Sequence, residues 1–70
     1  MKLRKYNNFE EIQTNNEVRL CGANEWWGLR GIVENINKVE KRVEVFSMEH
    51  PDTRYIVRED NLGDIELIEG

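Results

Sequence analysis

The chain has 70 residues, of which 34% are charged and 39% hydrophobic, so it can form one small domain with a modest core. Its net charge of −4 is unevenly distributed, because residues 1–42 carry eight Lys/Arg against six Asp/Glu whereas residues 43–70 carry two against eight. The acidic second half argues against general binding to nucleic-acid phosphates, and no run approaches the roughly 20 apolar residues that a membrane span requires.

The first 16 residues are predicted to form an N-terminal arm. Asn8 followed by Glu11 resembles a capping box, and Phe9 and Ile12 have the i, i+3 spacing of one helical turn. We therefore expect a short helical turn or an ordered arm that covers one opening of the domain. The basic residues at positions 2, 4 and 5 precede no apolar stretch, so no signal peptide is expected. With a single cysteine, Cys21, and hence no internal disulfide, a cytoplasmic location is predicted.

From residue 17 onward, hydrophobic residues alternate with the period of a β-strand. Five strands are predicted, namely "EVRLC", "GIVENI", "RVEVF", "RYIVR" and "IELI", and the segments "NKVEK", "EHPDT" and "EDNLGD" are predicted turns. Short antiparallel strands with tight turns favour a closed barrel over residues 17–70, because closure removes exposed edges. The fold class is thus all-β, with a predicted core of Val18, Leu20, Val33, Val43, Val45, Val57, Leu62 and Ile65.

Two segments, "VRLCG" at 18–22 and "GLRGIV" at 28–33, together resemble the KOW motif of SH3-like barrels. This motif occurs in NusG-type transcription elongation factors and some ribosomal proteins, and small SH3-like accessory subunits of larger complexes share the architecture. The resemblance implies a five-stranded SH3-like barrel in which Gly31 begins a strand that crosses close to neighbouring backbone. It also implies a helical turn containing Leu62 before the last strand. A bulky residue before Gly28, here Trp27, would pack over the barrel end.

The adjacent tryptophans at 26 and 27 are the main candidate for a binding site. Neighbours on an extended loop point in opposite directions, so a core this small cannot bury both rings. We expect Trp27 to be packed and Trp26 to be exposed as an interface anchor, a role in which tryptophan is enriched. The predicted contact surface comprises Trp26, Trp27, Arg30, Phe46 and Tyr55.

Catalysis has little support in the sequence. His50 lies in a predicted turn, where a local hydrogen bond to Asp52 is expected, and Cys21 has no evident base. The acidic residues at 59, 60 and 64 lack the spacing of a calcium loop, and residues 28–31 are predicted as a β-turn rather than a phosphate-binding loop. We therefore expect no enzyme, and no catalytic residue, cofactor, metal or small-molecule substrate.

The leading interpretation is a non-catalytic protein-interaction module, either an accessory subunit or a small inhibitor. It would bind a larger protein complex through the aromatic loop and an acidic face, which selects a basic patch such as that of a nucleic-acid-binding protein. The alternative is a KOW-like nucleic-acid or ribosome/transcription-associated module with a basic face, formed by Arg19, Arg30, Lys38, Lys41 and Arg42. A purely structural subunit is the third interpretation. Basic residues that converge on the tryptophan loop would favour the nucleic-acid alternative.

Overall fold

The computed structural model describes residues 2–22 and 24–69, which form one antiparallel sheet. Its strands are β1 (Lys2–Lys5), β2 (Glu17–Leu20), β3 (Arg30–Asn37), β4 (Arg42–Phe46), β5 (Tyr55–Arg58) and β6 (Ile65–Glu69). They lie in the order β1-β6-β2-β3-β4-β5. The all-β prediction is confirmed. Within the described residues the sheet has six strands rather than five, and no ladder joins β5 to β1, so the sheet is not closed.

Strand β1 was not predicted, and it lies within the segment expected to be an arm. It pairs antiparallel with β6, with Leu3 opposite Ile68. The segment "KLRK" contains a single apolar residue, so alternation cannot reveal it as a strand. Its conformation depends on a partner strand more than 60 residues away. Residues 2–5 therefore extend the sheet instead of standing apart from it.

The predicted helical turn is present as a 3-10 helix at Phe9–Glu11. The predicted capping box is wrong, because the Asn8 side chain makes no capping hydrogen bond. The backbone N–H of Asn7 instead donates to the Glu11 carboxylate at 3.0 Å. Phe9 and Ile12 are buried, as their spacing indicated, and Tyr6 joins them.

The core lies on one face of the sheet and follows the predicted alternation. Seven of the eight predicted core residues are fully buried, and Leu62 is partly buried and packs against them. The 3-10 helix at Glu59–Asp64, which contains Leu62, precedes β6 as expected. The described helices are 3-10 turns of three to six residues, none of which has the length or apolarity to cross a membrane.

The loop between β2 and β3 is closed at its base by two backbone hydrogen bonds. The Leu20 N–H donates to the Leu29 carbonyl at 2.8 Å, and the Gly28 N–H donates to the Leu20 carbonyl at 2.6 Å. Gly28 has a φ of 86°, a conformation that strains residues with a side chain. The turn lies at residues 27–28 and β3 begins at Arg30, so the β-turn predicted over 28–31 is displaced toward the N-terminus.

Gly31 lies where β3 passes closest to its neighbours. A Cβ at this position would lie 2.6 Å from Cγ1 of Val45 and 2.9 Å from the carbonyl oxygen of Phe46. Both distances are well below van der Waals contact, and the second atom belongs to the backbone. The close crossing expected at this glycine is therefore present.

We expect Gly31→Ala and Gly31→Val to destabilise the fold by more than the about 1 kcal/mol typical of point mutants, with the larger effect for valine. The matched control is Gly63→Ala, because a Cβ there meets no atom within 4 Å. Chemical denaturation of the three variants measures the difference. Equal midpoints for Gly31→Ala and the control would contradict the close-crossing argument.

Candidate interaction surface

Trp26 belongs to a packed aromatic cluster at one end of the sheet. It ends the 3-10 helix at Asn24–Trp26 and is partly buried against the core. Its ring centroid lies 4.4 Å from that of His50 and 5.5 Å from that of Tyr55. His50 thus serves as a packing partner, and no hydrogen bond joins it to Asp52 in the described part of the chain. Trp26 and Tyr55, both predicted as contact residues, lie inside this cluster.

Asp64 fixes the cluster to the rest of the fold. Its carboxylate accepts hydrogen bonds from the Tyr55 hydroxyl at 2.8 Å and from the Asn61 amide at 3.1 Å. Its backbone carbonyl accepts from the Cys21 N–H at 2.8 Å. Gly22 allows this approach, since a Cβ there would lie 2.2 Å from Cγ of Asp64. Asp64 therefore has a structural role: its carboxylate joins β5 to the Glu59–Asp64 turn, and its backbone carbonyl joins that turn to the start of the tryptophan loop.

The environment of Tyr55 raises the pKa of its phenol to about 12. Burial is the main cause, and the hydrogen bond to Asp64 adds to it because the phenol donates to an anionic acceptor. Burial likewise raises the pKa of Tyr6 to about 12. The Tyr6 hydroxyl donates to the Asn16 side chain at 2.9 Å. The folded state therefore holds both phenols in the neutral form.

Trp27, by contrast, lies on the surface with 60% of its area exposed. The guanidinium carbon of Arg19 lies 4.9 Å from the centre of its ring, which is a cation–π arrangement. The division into one packed and one exposed tryptophan is confirmed, but the assignment is reversed. The residues before Trp27 form a 3-10 turn, so the extended-loop geometry assumed for the pair does not apply.

The outer face of the sheet, opposite the core, carries an apolar groove. Ile32 of β3 and Phe46 of β4 are cross-strand partners on this face. Ile32 is 45% exposed, and Met48, just beyond the end of β4, is 81% exposed. The space has a volume of about 360 Å³ and is called here the outer groove; it is lined by Glu17, Arg30, Gly31, Ile32, Phe46, Met48 and Glu49.

Trp27 and the outer groove are related through one cross-strand pair of arginines. Arg19, which covers the Trp27 ring, pairs across the strands with Arg30, which lines the groove. Of the five predicted contact residues, Trp27, Arg30 and Phe46 therefore lie around one surface, and Trp26 and Tyr55 do not belong to it.

The prediction missed Ile32 and Met48, which also lie at this surface. Strand alternation around the buried Val33 would have placed Ile32 on the outer face.

The basic residues proposed for a nucleic-acid face do not lie together. Arg19 and Arg30 lie near Trp27, but they pair with Glu66 and Glu17, each at 3.5 Å. At the other end of β4, Lys41 contacts Glu10 and Glu59, and Arg42 contacts Glu40 and Glu44. The contact with Lys41 lowers the pKa of the Glu10 carboxyl and raises that of the lysine. Carboxylates thus accompany the cations at both ends of the sheet.

The remaining reactive side chains have structural partners. The Cys21 thiol donates to the Gly63 carbonyl at 3.2 Å, and Lys5 Nζ lies 3.8 Å from the sulfur. Across residues 2–22 and 24–69, no group of three or more His, Cys, Asp or Glu side chains is placed to hold a metal ion.

The two tryptophans should respond differently to truncation. We expect Trp26→Ala to destabilise the fold by about 1–3 kcal/mol, less than the value for a fully buried ring because Trp26 is only partly buried. We expect Trp27→Ala to cost no more than about 1 kcal/mol, the scale of an exposed cation–π contact. Thermal and urea unfolding measure both. Equal decreases in the free energy of unfolding for the two variants would show that Trp27 also stabilises the fold.

Tyr6 and Tyr55 should ionise only at high pH, which makes the stability of the fold pH-dependent in the alkaline range. The pKa of each phenol is about 12 in the folded state against 10.0 in the unfolded chain. The neutral phenols therefore make their full contribution to the free energy of unfolding below pH 10. It is lost as the pH rises from 10 through 12. Absorbance at 295 nm follows tyrosinate formation in the folded protein. Asp64→Asn should lower the pKa of Tyr55 and leave that of Tyr6 unchanged; two transitions near pH 10 in the folded wild type would contradict the burial of the phenols.

No family model matches the chain, and no curated protein or solved structure shows significant similarity to it.

Proposed function

We propose that the chain is a non-catalytic protein-interaction module, an accessory subunit or small inhibitor, that contacts a larger protein through the outer groove and Trp27. One observation carries the proposal. Trp27, Ile32 and Met48 are among the exposed large apolar side chains of the described residues, and all three belong to or adjoin the same surface. Only 39% of the residues are hydrophobic, so each large apolar side chain on the surface is one that the small core does not bury. Exposed apolar side chains grouped on one surface are typical of an interaction site.

The composition of the surface also supports a protein partner. Trp, Met, Phe and Arg are enriched at protein interfaces, where flat rings and long flexible side chains supply contact area. Trp27 supplies a rigid ring already placed by Arg19, and Met48 supplies an adaptable side chain at the groove. Trp26 and Tyr55 act indirectly, because their cluster holds the loop that presents Trp27.

The KOW-like nucleic-acid module remains the alternative, and one contact favours it. Arg19 stacked on an exposed tryptophan resembles an arrangement that binds a base and a phosphate together. Against this, Glu66 and Glu17 pair with the two arginines near the ring, and the net charge is −4. Protein binding is therefore the stronger proposal.

The proposed relationship to SH3-like barrels rests on local features. Gly31 at a close crossing, the buried Val33 two residues later and the 3-10 turn before the last strand support it. The added β1 and the open sheet depart from the five-stranded closed form that the resemblance implied.

A photo-crosslinking amino acid at position 48 tests the proposed function in cells. We expect it to capture a protein, and we expect the same amino acid at position 39 to capture little. Val39 is 94% exposed in the turn at the opposite end of β4, so it controls for exposure alone. Ile32→Ser should reduce the adduct at position 48.

Three results would contradict the proposal. Equal capture at positions 39 and 48 would show exposure without a specific surface. Adducts to RNA or DNA at position 48 would support the alternative module. A position-48 adduct insensitive to Ile32→Ser would place the contact outside the groove.

A further inference from the structure

We propose that the outer groove receives an apolar side chain from a partner segment in which lysine or arginine flanks that side chain. This inference rests on the proposed protein-interaction function and adds the chemistry of the partner. It follows from two features of the groove, its apolar floor and the charges along its rim.

The floor is apolar and has room for an aliphatic or aromatic side chain. Ile32 and Phe46 face each other across β3 and β4, and both side chains line the groove. The volume of about 360 Å³ is near the low end of the roughly 300–1,000 Å³ range of ligand pockets. Met48 can adjust its conformation at one margin because its side chain is flexible and 81% exposed.

The rim carries two carboxylates and one guanidinium. Glu17 and Glu49 lie on the groove, and Arg30 is paired with Glu17 at 3.5 Å. Next to Phe46, the charge of Arg54 is offset by Glu34, whose carboxylate oxygen lies 2.5 Å from Arg54 Nε. The lining residues therefore carry a net negative charge within a chain whose overall charge is also negative.

Glu49 is held in place by a buried hydroxyl. Ser47 is 1% exposed, and its Oγ donates to a carboxylate oxygen of Glu49 at 3.0 Å. The Glu49 backbone N–H lies 3.4 Å from the same Ser47 oxygen and donates to it. A carboxylate fixed beside an apolar floor loses less side-chain freedom when it meets a cation. Glu49 is thus the residue best placed to contact a lysine or arginine of the partner.

The charges of the rim also argue against two other occupants of the groove, a nucleic acid and a second copy of this chain. Phosphates of a nucleic acid would meet the carboxylates of Glu17 and Glu49 at the rim. A second copy of this chain would bring a further net charge of −4 to an already negative rim. A basic–apolar protein segment gains from both features of the groove.

Amide chemical shifts of the ¹⁵N-labelled chain during peptide titration test this inference. The probes are three nine-residue Gly/Ser peptides: one with a central leucine flanked by two lysines on each side, one with the lysines replaced by glutamate, and one with the lysines replaced by serine. We expect the lysine peptide to shift the amides of residues 31–32 and 46–49 and to bind at least tenfold more tightly than the glutamate peptide. Its affinity should fall as salt is raised, because the rim charges are exposed to solvent.

The matched variants separate local charge from net charge. Glu17→Gln combined with Glu49→Gln should lower the affinity for the lysine peptide about threefold to tenfold. The control combines Glu40→Gln with Glu59→Gln, which removes the same amount of charge near the other end of β4. It should lower the affinity for the lysine peptide less than twofold. Equal weakening by the two pairs would overturn the role assigned to the rim.

The pattern among the peptides distinguishes the two proposals. Equal binding of the three leucine peptides at the groove would overturn the basic-partner inference and leave the docking function standing. No shift with any peptide up to millimolar concentration would count against both. Shifts of these amides that depend on protein concentration alone would assign the groove to a second copy, and stronger shifts with a short single-stranded RNA would assign it to nucleic acid.

Discussion

The close passage of β3 over β4 at Gly31 is the constraint on which the rest of the structure depends. Because this residue has no side chain, Val45 can fill the space beneath it, and the Phe46 carbonyl can approach within a distance that a Cβ would forbid. Val45 is one of five valines among the ten buried hydrophobic residues in the described part of the chain. A side chain at this position would point toward Val45 and Leu20 in the core, so the glycine sets the packing on the inner face of the sheet. The packing of β3 against β4 and the core therefore depends on this one residue.

The two tryptophans differ in their surroundings, because Trp26 packs against the core and Trp27 lies on the surface. Trp26 closes one end of the core through His50 and Tyr55, and Asp64 anchors that cluster by side-chain and backbone hydrogen bonds. Trp27 follows directly and is placed over Arg19 on the outer side. The loop thus combines a ring packed against His50 and Tyr55 with an adjacent exposed ring, the one that we propose as a contact residue.

Residues 17–69 were largely predictable because their strands alternate with a clear period of two. Val43 and Val45 face inward between outward-facing charged residues, and the position of each strand follows from such pairs. Strand β1 escaped prediction because its pairing with β6 is nonlocal. The tryptophan assignment failed because a 3-10 turn changes side-chain directions within one residue. The outer groove required the cross-strand register of Ile32 and Phe46, which no single strand reveals.

The pairing of β1 with β6 has a consequence for the order in which the fold assembles. The β2–β3, β3–β4 and β4–β5 ladders each join neighbours in sequence, so they can close over short loops. Lys2 opposite Glu69 encloses almost the whole chain, and the entropy cost of such a closure grows with loop length. We expect β1 to dock after the local hairpins and to detach before them. The ion pair of Arg4 with Glu69 is exposed to solvent and adds little to the attachment of this strand, so its amide hydrogens should exchange before those of the local hairpins.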